Sequence, residues 1–330
     1  AHLEWKGISG VITLRIRNMT PARIRPGWIV LALAGTLLLA AGTAQETPTP
    51  AQGKIAIRVE MVQLLCTVLD KKGQYVTNLT QDDFIVYENG VPQKIENFAA
   101  RTDLPLSIAF LIDTSASVAN KLKFEQEAAS EFFFSVIRAQ DKALLLEFDT
   151  GVTLIQDFTS DPNILARQLK TLRAAGGTSL YDALYLVSEE KLLWEQGEKR
   201  KTVLIISDGE DTVSSVTFEE ALELCQRAGA TIFAISTNRG GHFGIKGNDE
   251  GDAVLEQLAS ASGGKVYYPS KIEDLGQAFK EINQELRSQY SLSYRPANSK
   301  RDGTFRTLRV TVKGKDLVVR HRKGYFAPKE

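Results

Sequence analysis

The chain has 330 residues, 43% hydrophobic and 24% charged, enough for one large core with a smaller unit beside it. Its 40 basic and 40 acidic side chains leave no net charge, which argues against a nucleic-acid partner held by overall charge. His2, His242 and His321 lack the spacing of a zinc site, and Cys66 and Cys225 read as buried, unpaired thiols.

The amino end has the order of a secretory signal. Arg15, Arg17, Arg23 and Arg25 precede an uncharged run, and its apolar centre, Trp28–Ala41, is too short to span a bilayer comfortably. Small residues follow at Gly42, Thr43 and Ala44. Residues 1–44 are therefore taken as the signal region, with cleavage expected after Ala44 and an uncleaved anchor as the alternative. Met19 begins a segment of ordinary signal proportions, so the true start is expected there. The protein is then exported, periplasmic or extracellular, with no membrane span after cleavage. Residues 45–53 form a linker.

Residues 54–100 form a small β unit. Apolar residues alternate at Ile55, Ile57, Val59 and Met61, then shift phase to Val62, Leu64, Cys66 and Val68, as a bulged strand would. Phe84–Tyr87 and Val91–Phe98 are predicted strands around an Asn89-Gly90 hairpin turn. From 101 to 288 strands and helices interleave. Leu106–Ile112 is nearly all apolar without alternation, which suits a strand buried on both faces, and the run stops abruptly at Asp113. Leu122, Ala129, Phe132, Phe133 and Val136 give a helical stripe. A hairpin (Ala143–Phe148 and Val152–Phe158), a helix over Asn163–Leu172 and another marked by Leu180, Leu184 and Val187 follow. Beyond them lie strands Thr202–Ile206, Thr231–Ile235 and Val266–Tyr268. Helices over Phe218–Ala228, Ala253–Ala261 and from Ile272 to about Arg287 complete the series. The pattern predicts a doubly wound, mostly parallel α/β sheet of Rossmann-like type. Residues 289–330 return to β alternation. Isolated hairpins are marginal in water, so the two flanking β segments are expected to pack together as one discontinuous β-sandwich. The excess of Lys and Arg after Lys300 is read as a solvated strand face.

Three loops carry the chemistry: Asp113-Thr114-Ser115-Ala116-Ser117, Gly176-Gly177-Thr178-Ser179 and Ser207-Asp208-Gly209. The first and third follow predicted core strands, where open α/β sheets bind ligands. Together they resemble the metal-ion-dependent adhesion site of the von Willebrand factor type A (VWA) fold, over roughly Pro105–Gln289. The flanks, through Val68–Gly73, Asp83–Gly90 and Arg322–Phe326, resemble the secreted VWFA-related acidobacterial-type family. The resemblance implies that Ser115 and Ser117 bind a divalent cation through their hydroxyls. Thr178 joins in at least one state, and Asp113 and Asp208 act directly or through water. Mg²⁺ is the expected ion, with Mn²⁺ or Ca²⁺ as alternatives, because hard cations take oxygen ligands. An open coordination position would then favour an Asp or Glu carboxylate on a partner protein, as in cell adhesion.

Single Asp and Ser residues at such positions can equally be helix caps. Glu210 and Asp211 are read as solvated loop acids. The glycine-rich loop 237–251 is expected to leave the same sheet edge, with Arg239, His242 and Phe243 as candidate partner contacts. A metal-dependent phosphohydrolase is the rival from another class. It is disfavoured because Ser115 stands where a second Asp would serve as acid and base in haloacid-dehalogenase-type enzymes. A structural envelope protein with an incidental metal site is the third reading. The expectation is a non-enzymatic protein-binding module.

Overall fold

The computed structural model describes residues 61–100, 104–195, 197, 199–238, 250–269 and 274–329, with the backbone strands β1 (Trp5–Ile8) and β2 (Val11–Leu14). The remaining signal and linker positions, and the alternation at Ile55–Val59, lie outside them.

The first β segment comprises β3 (Val62–Leu69), β4 (Phe84–Glu88), β5 (Val91–Gln93) and β6 (Ile95–Ala99). The central region runs β7 (Leu106–Asp113), α1 (Leu122–Val136), β8 (Lys142–Phe148), β9 (Val152–Thr159), α2 (Pro162–Leu169) and α3 (Leu180–Val187). It continues through β10 (Arg200–Ser207), α4 (Phe218–Ala228), β11 (Thr231–Ser236), α5 (Glu250–Ser262), β12 (Val266–Tyr267) and α6 (Leu275–Leu286). The last strands are β13 (Tyr290–Tyr294), β14 (Phe305–Val312), β15 (Val318–Arg320) and β16 (Gly324–Phe326).

Strands β9-β8-β7-β10-β11-β12 lie side by side in that order, and the β1–β2 hairpin continues the sheet at the β9 edge. All pairs from β8 to β12 are parallel, while β9 runs antiparallel to β8. Strand β7 is central because all eight of its residues are buried. Alternate side chains leave a strand on opposite faces. Leu106, Ile108, Phe110 and Ile112 join one core with α1, α2 and α6, whereas Ala109 and Leu111 join the other with α3, α4 and α5. Each large aliphatic group buried this way contributes about 1.5–3 kcal/mol. From β7 the chain steps to β8 on one side, then returns to place β10 on the other. The strand order reverses at β7, so the carboxyl ends of β7 and β10 are the switch point at which open α/β sheets bind ligands.

The flanking segments interleave in two antiparallel sheets, β15-β3-β13-β6 and β16-β14-β4-β5. Each contains strands from both ends of the chain, and one core joins them, including Leu64, Cys66, Val86, Tyr290, Leu292 and Val310. Cys66 and Cys225 are free and buried, 225 in the α/β core and 66 in this one. The Asn89-Gly90 turn has positive φ at both positions (48° and 81°), the backbone a tight hairpin demands.

Several predicted elements change. Val91–Phe98 is two strands, because β5 pairs with β4 while β6 pairs with β13, and the chain changes sheet at Lys94. The helix predicted to reach Leu172 ends at Leu169. The basic tail is not simply a solvated face: Arg306 is 1% exposed and paired with Glu88, and Arg309 lies over the Tyr87 ring. Alternation shows which face a residue takes but not whether that face meets solvent.

Candidate metal centre

Asp113 ends β7 and Ser207 ends β10, one step beyond the paired Ile112 and Ile206. The Ser207 hydroxyl donates to Asp113 Oδ2 at 2.7 Å, and the Ser115 amide donates to Asp113 Oδ1 at 2.8 Å. The Asp113 carboxylate is thereby fixed across two strands. Ser115 Oγ lies 2.9 Å from Ser117 Oγ, and Ser117 donates to Asp208 Oδ2 at 2.8 Å. Asp113, Ser115, Ser117 and Asp208 therefore form one connected cluster. Asp113, Ser115 and Asp208 are buried, while Ser117 opens to solvent.

Thr178 is buried on the same edge, but no hydrogen bond joins its hydroxyl to the other four among the described residues. Its backbone places it. The Ala175 amide donates to Thr114 O and the Ala116 amide to Gly176 O, which tie its loop to the first one. The Thr178 carbonyl accepts from the amides of Thr212 and Val213, and its own amide donates to Thr212 Oγ1, which tie it to the third. Gly176 has φ +75°, and a Cβ there would collide with the Thr150 hydroxyl. Only glycine meets both demands at low cost.

The third loop is held from beneath. Asn238 donates its side-chain amide to Asp208 O at 2.8 Å and to Asp252 Oδ1 at 2.9 Å. Gly209, with φ +80°, packs against the Gly251 carbonyl so closely that a Cβ would clash. Asp211 accepts from the Tyr181 amide and the Ser214 hydroxyl, so it anchors the loop to the start of α3 instead of being a solvated acid. Glu210 is exposed, as expected. Arg239, His242 and Phe243 lie outside the described residues.

Burial pushes the Asp113 carboxyl up, its hydrogen bonds from Ser207 and Ser115 pull it down, and the Asp208 charge pushes it up again, leaving it raised. A buried carboxylate facing a like charge is the setting in which a divalent cation is stabilised. The donors are two carboxylates and three hydroxyls, all oxygen, which suits Mg²⁺, Mn²⁺ or Ca²⁺ better than soft metals. No cluster of three His, Cys, Asp or Glu placed to hold a metal occurs among the described residues, and the hydroxyl-rich set here is of a different composition.

One residue that sequence reasoning missed is Glu125. It lies on the apolar stripe of α1, three residues after Leu122 and four before Ala129, and it is buried. A charged residue at a core position of an otherwise apolar stripe was the available signal.

The family model described as the von Willebrand factor type A domain matches residues 108–210, a stretch containing all five candidate ligands. The chain carries a von Willebrand factor type A domain. Among solved structures, the chain is similar to the PilB minor pilin from Streptococcus sanguinis (14% identity, TM-score 0.43, covering 58% of this chain and 63% of that one). It is similar to the vWF domain of the type V pili tip protein Mfa5 from Porphyromonas gingivalis (13% identity, TM-score 0.44, covering 56% and 95%). Proximal thread matrix protein 1 from the mussel byssus, solved with a zinc-occupied MIDAS motif, is also similar (18% identity, TM-score 0.46, covering 58% and 47%). The match thus spans less than two thirds of the pilin and about half of the byssus protein. No curated protein matches the chain. No described helix of the chain is long and apolar enough to cross a membrane.

Proposed function

We propose that the type A domain is a metal-ion-dependent protein-binding module of an exported protein, without enzymatic activity. Asp113, Ser115, Ser117, Thr178 and Asp208 would hold a divalent cation, Mg²⁺ by preference, whose open position takes an Asp or Glu carboxylate from a partner protein. The observation that carries this reading is the continuous link from Asp113 through Ser115 and Ser117 to Asp208, which joins two strand ends in one all-oxygen cluster.

Each residue has a distinct part. Asp113 and Asp208 supply negative charge, Ser115 and Ser117 supply neutral oxygens, and Ser207 orients Asp113 from the neighbouring strand. Only two of the five candidate ligands are carboxylates and the hydroxyls are neutral, so the set does not over-neutralise a divalent ion, and an open position can take a carboxylate from outside. Ser115 cannot serve as a general acid at the position where a phosphohydrolase of the haloacid-dehalogenase type needs one.

Calorimetric titration of the purified chain with Mg²⁺ and Mn²⁺ tests the metal site, and absence of binding to either would support plain helix capping. Pull-downs from an envelope extract in Mg²⁺ and in EDTA test the partner. Capture that survives EDTA would favour a structural role, and phosphoester turnover lost in Asp113→Asn would favour the enzyme.

A further inference from the structure

Glu125 is 1% exposed, and neither of its carboxylate oxygens has a hydrogen-bond partner among the described residues. Leaving a buried carboxylate unpaired costs several kcal/mol if it is charged, and buried polar groups without partners call for an unseen water or ion. Its position narrows the choice. Glu125 is in the first turn of α1, the helix that begins just after Ser117, and it occupies the stripe that packs on the sheet. The charges acting on it are those of Asp113, Lys121 and Asp208, two of them candidate metal ligands. The Lys121 ammonium is itself engaged by the Thr237 carbonyl and makes no ion pair with Glu125.

We infer that Glu125 is a supporting carboxylate beside the metal centre, which would accept a hydrogen bond from water on a bound cation and would not bind the cation directly. This deepens the metal-site reading above and rests on it. A neutral, protonated Glu125 that merely fills space is the competing account, and the metal-free preference of the group for its neutral form fits both. The two differ in what happens when a cation arrives. A carboxylate that orients metal-bound water raises affinity, and removal of such a supporting group costs about 10–100-fold. A space-filling acid leaves affinity unchanged.

The test compares wild-type full-length chain with Glu125→Gln, which keeps the shape and removes the charge. Mn²⁺ is titrated calorimetrically, and thermal melting is followed in EDTA. The expected result is a Glu125→Gln variant that melts at or above the wild-type temperature in EDTA but binds Mn²⁺ at least about tenfold more weakly. Wild-type binding matched by the variant would overturn the inference and leave the metal site standing. No Mn²⁺ binding to wild type would overturn the site and the inference together. A variant that melts well below wild type in EDTA would also overturn it, because Glu125 would then stabilise the metal-free fold.

Discussion

Buried carboxylates occur in two regions of this molecule and are treated differently. In the sandwich, Glu88 receives the Arg306 guanidinium at 3.3 Å and the hydroxyls of Tyr294 and Tyr325 at 2.7 and 2.8 Å. At the junction of α6 with the sandwich, Glu285 pairs with Arg320 and accepts from Tyr267 at 3.1 Å and Thr67 at 3.3 Å. At the edge of the α/β sheet, Asp113 has only hydroxyl and amide donors, and Glu125 has none among the described residues. The first group carries its counter-charge within the fold. The second makes no ion pair among the described residues, although the energetic demand is the same. The fold supplies guanidinium partners to two buried acids and, among the described residues, none to Asp113 or Glu125, and the proposed metal site rests on that difference.

The largest expected effect tests the self-sufficient side. Arg306→Leu strands Glu88 in the sandwich core and should cost about 3–5 kcal/mol in urea unfolding. Mn²⁺ affinity should be unchanged in whatever fraction remains folded; a large loss of affinity would mean that the two regions are coupled.

Asp208→Asn tests the open side. Metal affinity should fall by more than about 100-fold, beyond the range for a supporting residue. Stability in EDTA should stay level or rise, because the change removes one of two facing like charges. Saturating Mn²⁺ at about 100 times its Kd should add about 2.7 kcal/mol to wild type and nothing to the variant. A variant less stable than wild type in EDTA would break the contrast between the regions.

The pH dependence of the metal-free protein sharpens it further. Burial, then the charge of Asp113, pushes the Glu125 carboxyl up to about 8 from an ordinary 4.5. An acid raised in the folded state ionises first in the unfolded chain, so the folded state binds more protons over that interval. Stability in EDTA should therefore decline as pH rises from about 4.5 to about 8. Glu125→Gln should remove that part of the slope and leave the share due to Asp113. Equal slopes in both proteins, measured by chemical denaturation across pH, would contradict the assignment.

The smallest effect concerns the framework beneath the third loop. Thr217 caps α4, accepting from the Glu220 amide at 3.2 Å while Glu220 accepts from the Thr217 amide at 2.8 Å. Thr217→Ala should cost about 1 kcal/mol of stability. Metal affinity should not move, since no ligand is touched.

The central fold was largely legible, because its signals are local. An unbroken apolar strand, interleaved helical stripes and glycine at turn positions follow from the chain's own chemistry. The strand-end places of Asp113, Ser115, Ser117 and Asp208 were legible for the same reason, as each sits at the abrupt end of a buried strand or just beyond it, while their reading as a ligand set came from resemblance. Thr178 was named from resemblance, and its backbone ties to Thr114 and Thr212 could not be read from spacing. The break at Lys94 between β5 and β6 was hidden as well, because each strand follows its own partner.

By itself the sequence determined which residues are apolar, where turns fall and which oxygens stand at strand ends, since backbone preference and side-chain chemistry act over a few neighbours. Only the tertiary structure decided which buried charges meet a partner. Arg306 and Glu88 are 218 positions apart and meet. Glu125 is twelve residues from Asp113 and is left with none among the described residues. Electrostatic balance depends on distance and burial in the folded state, and neither is written along the chain.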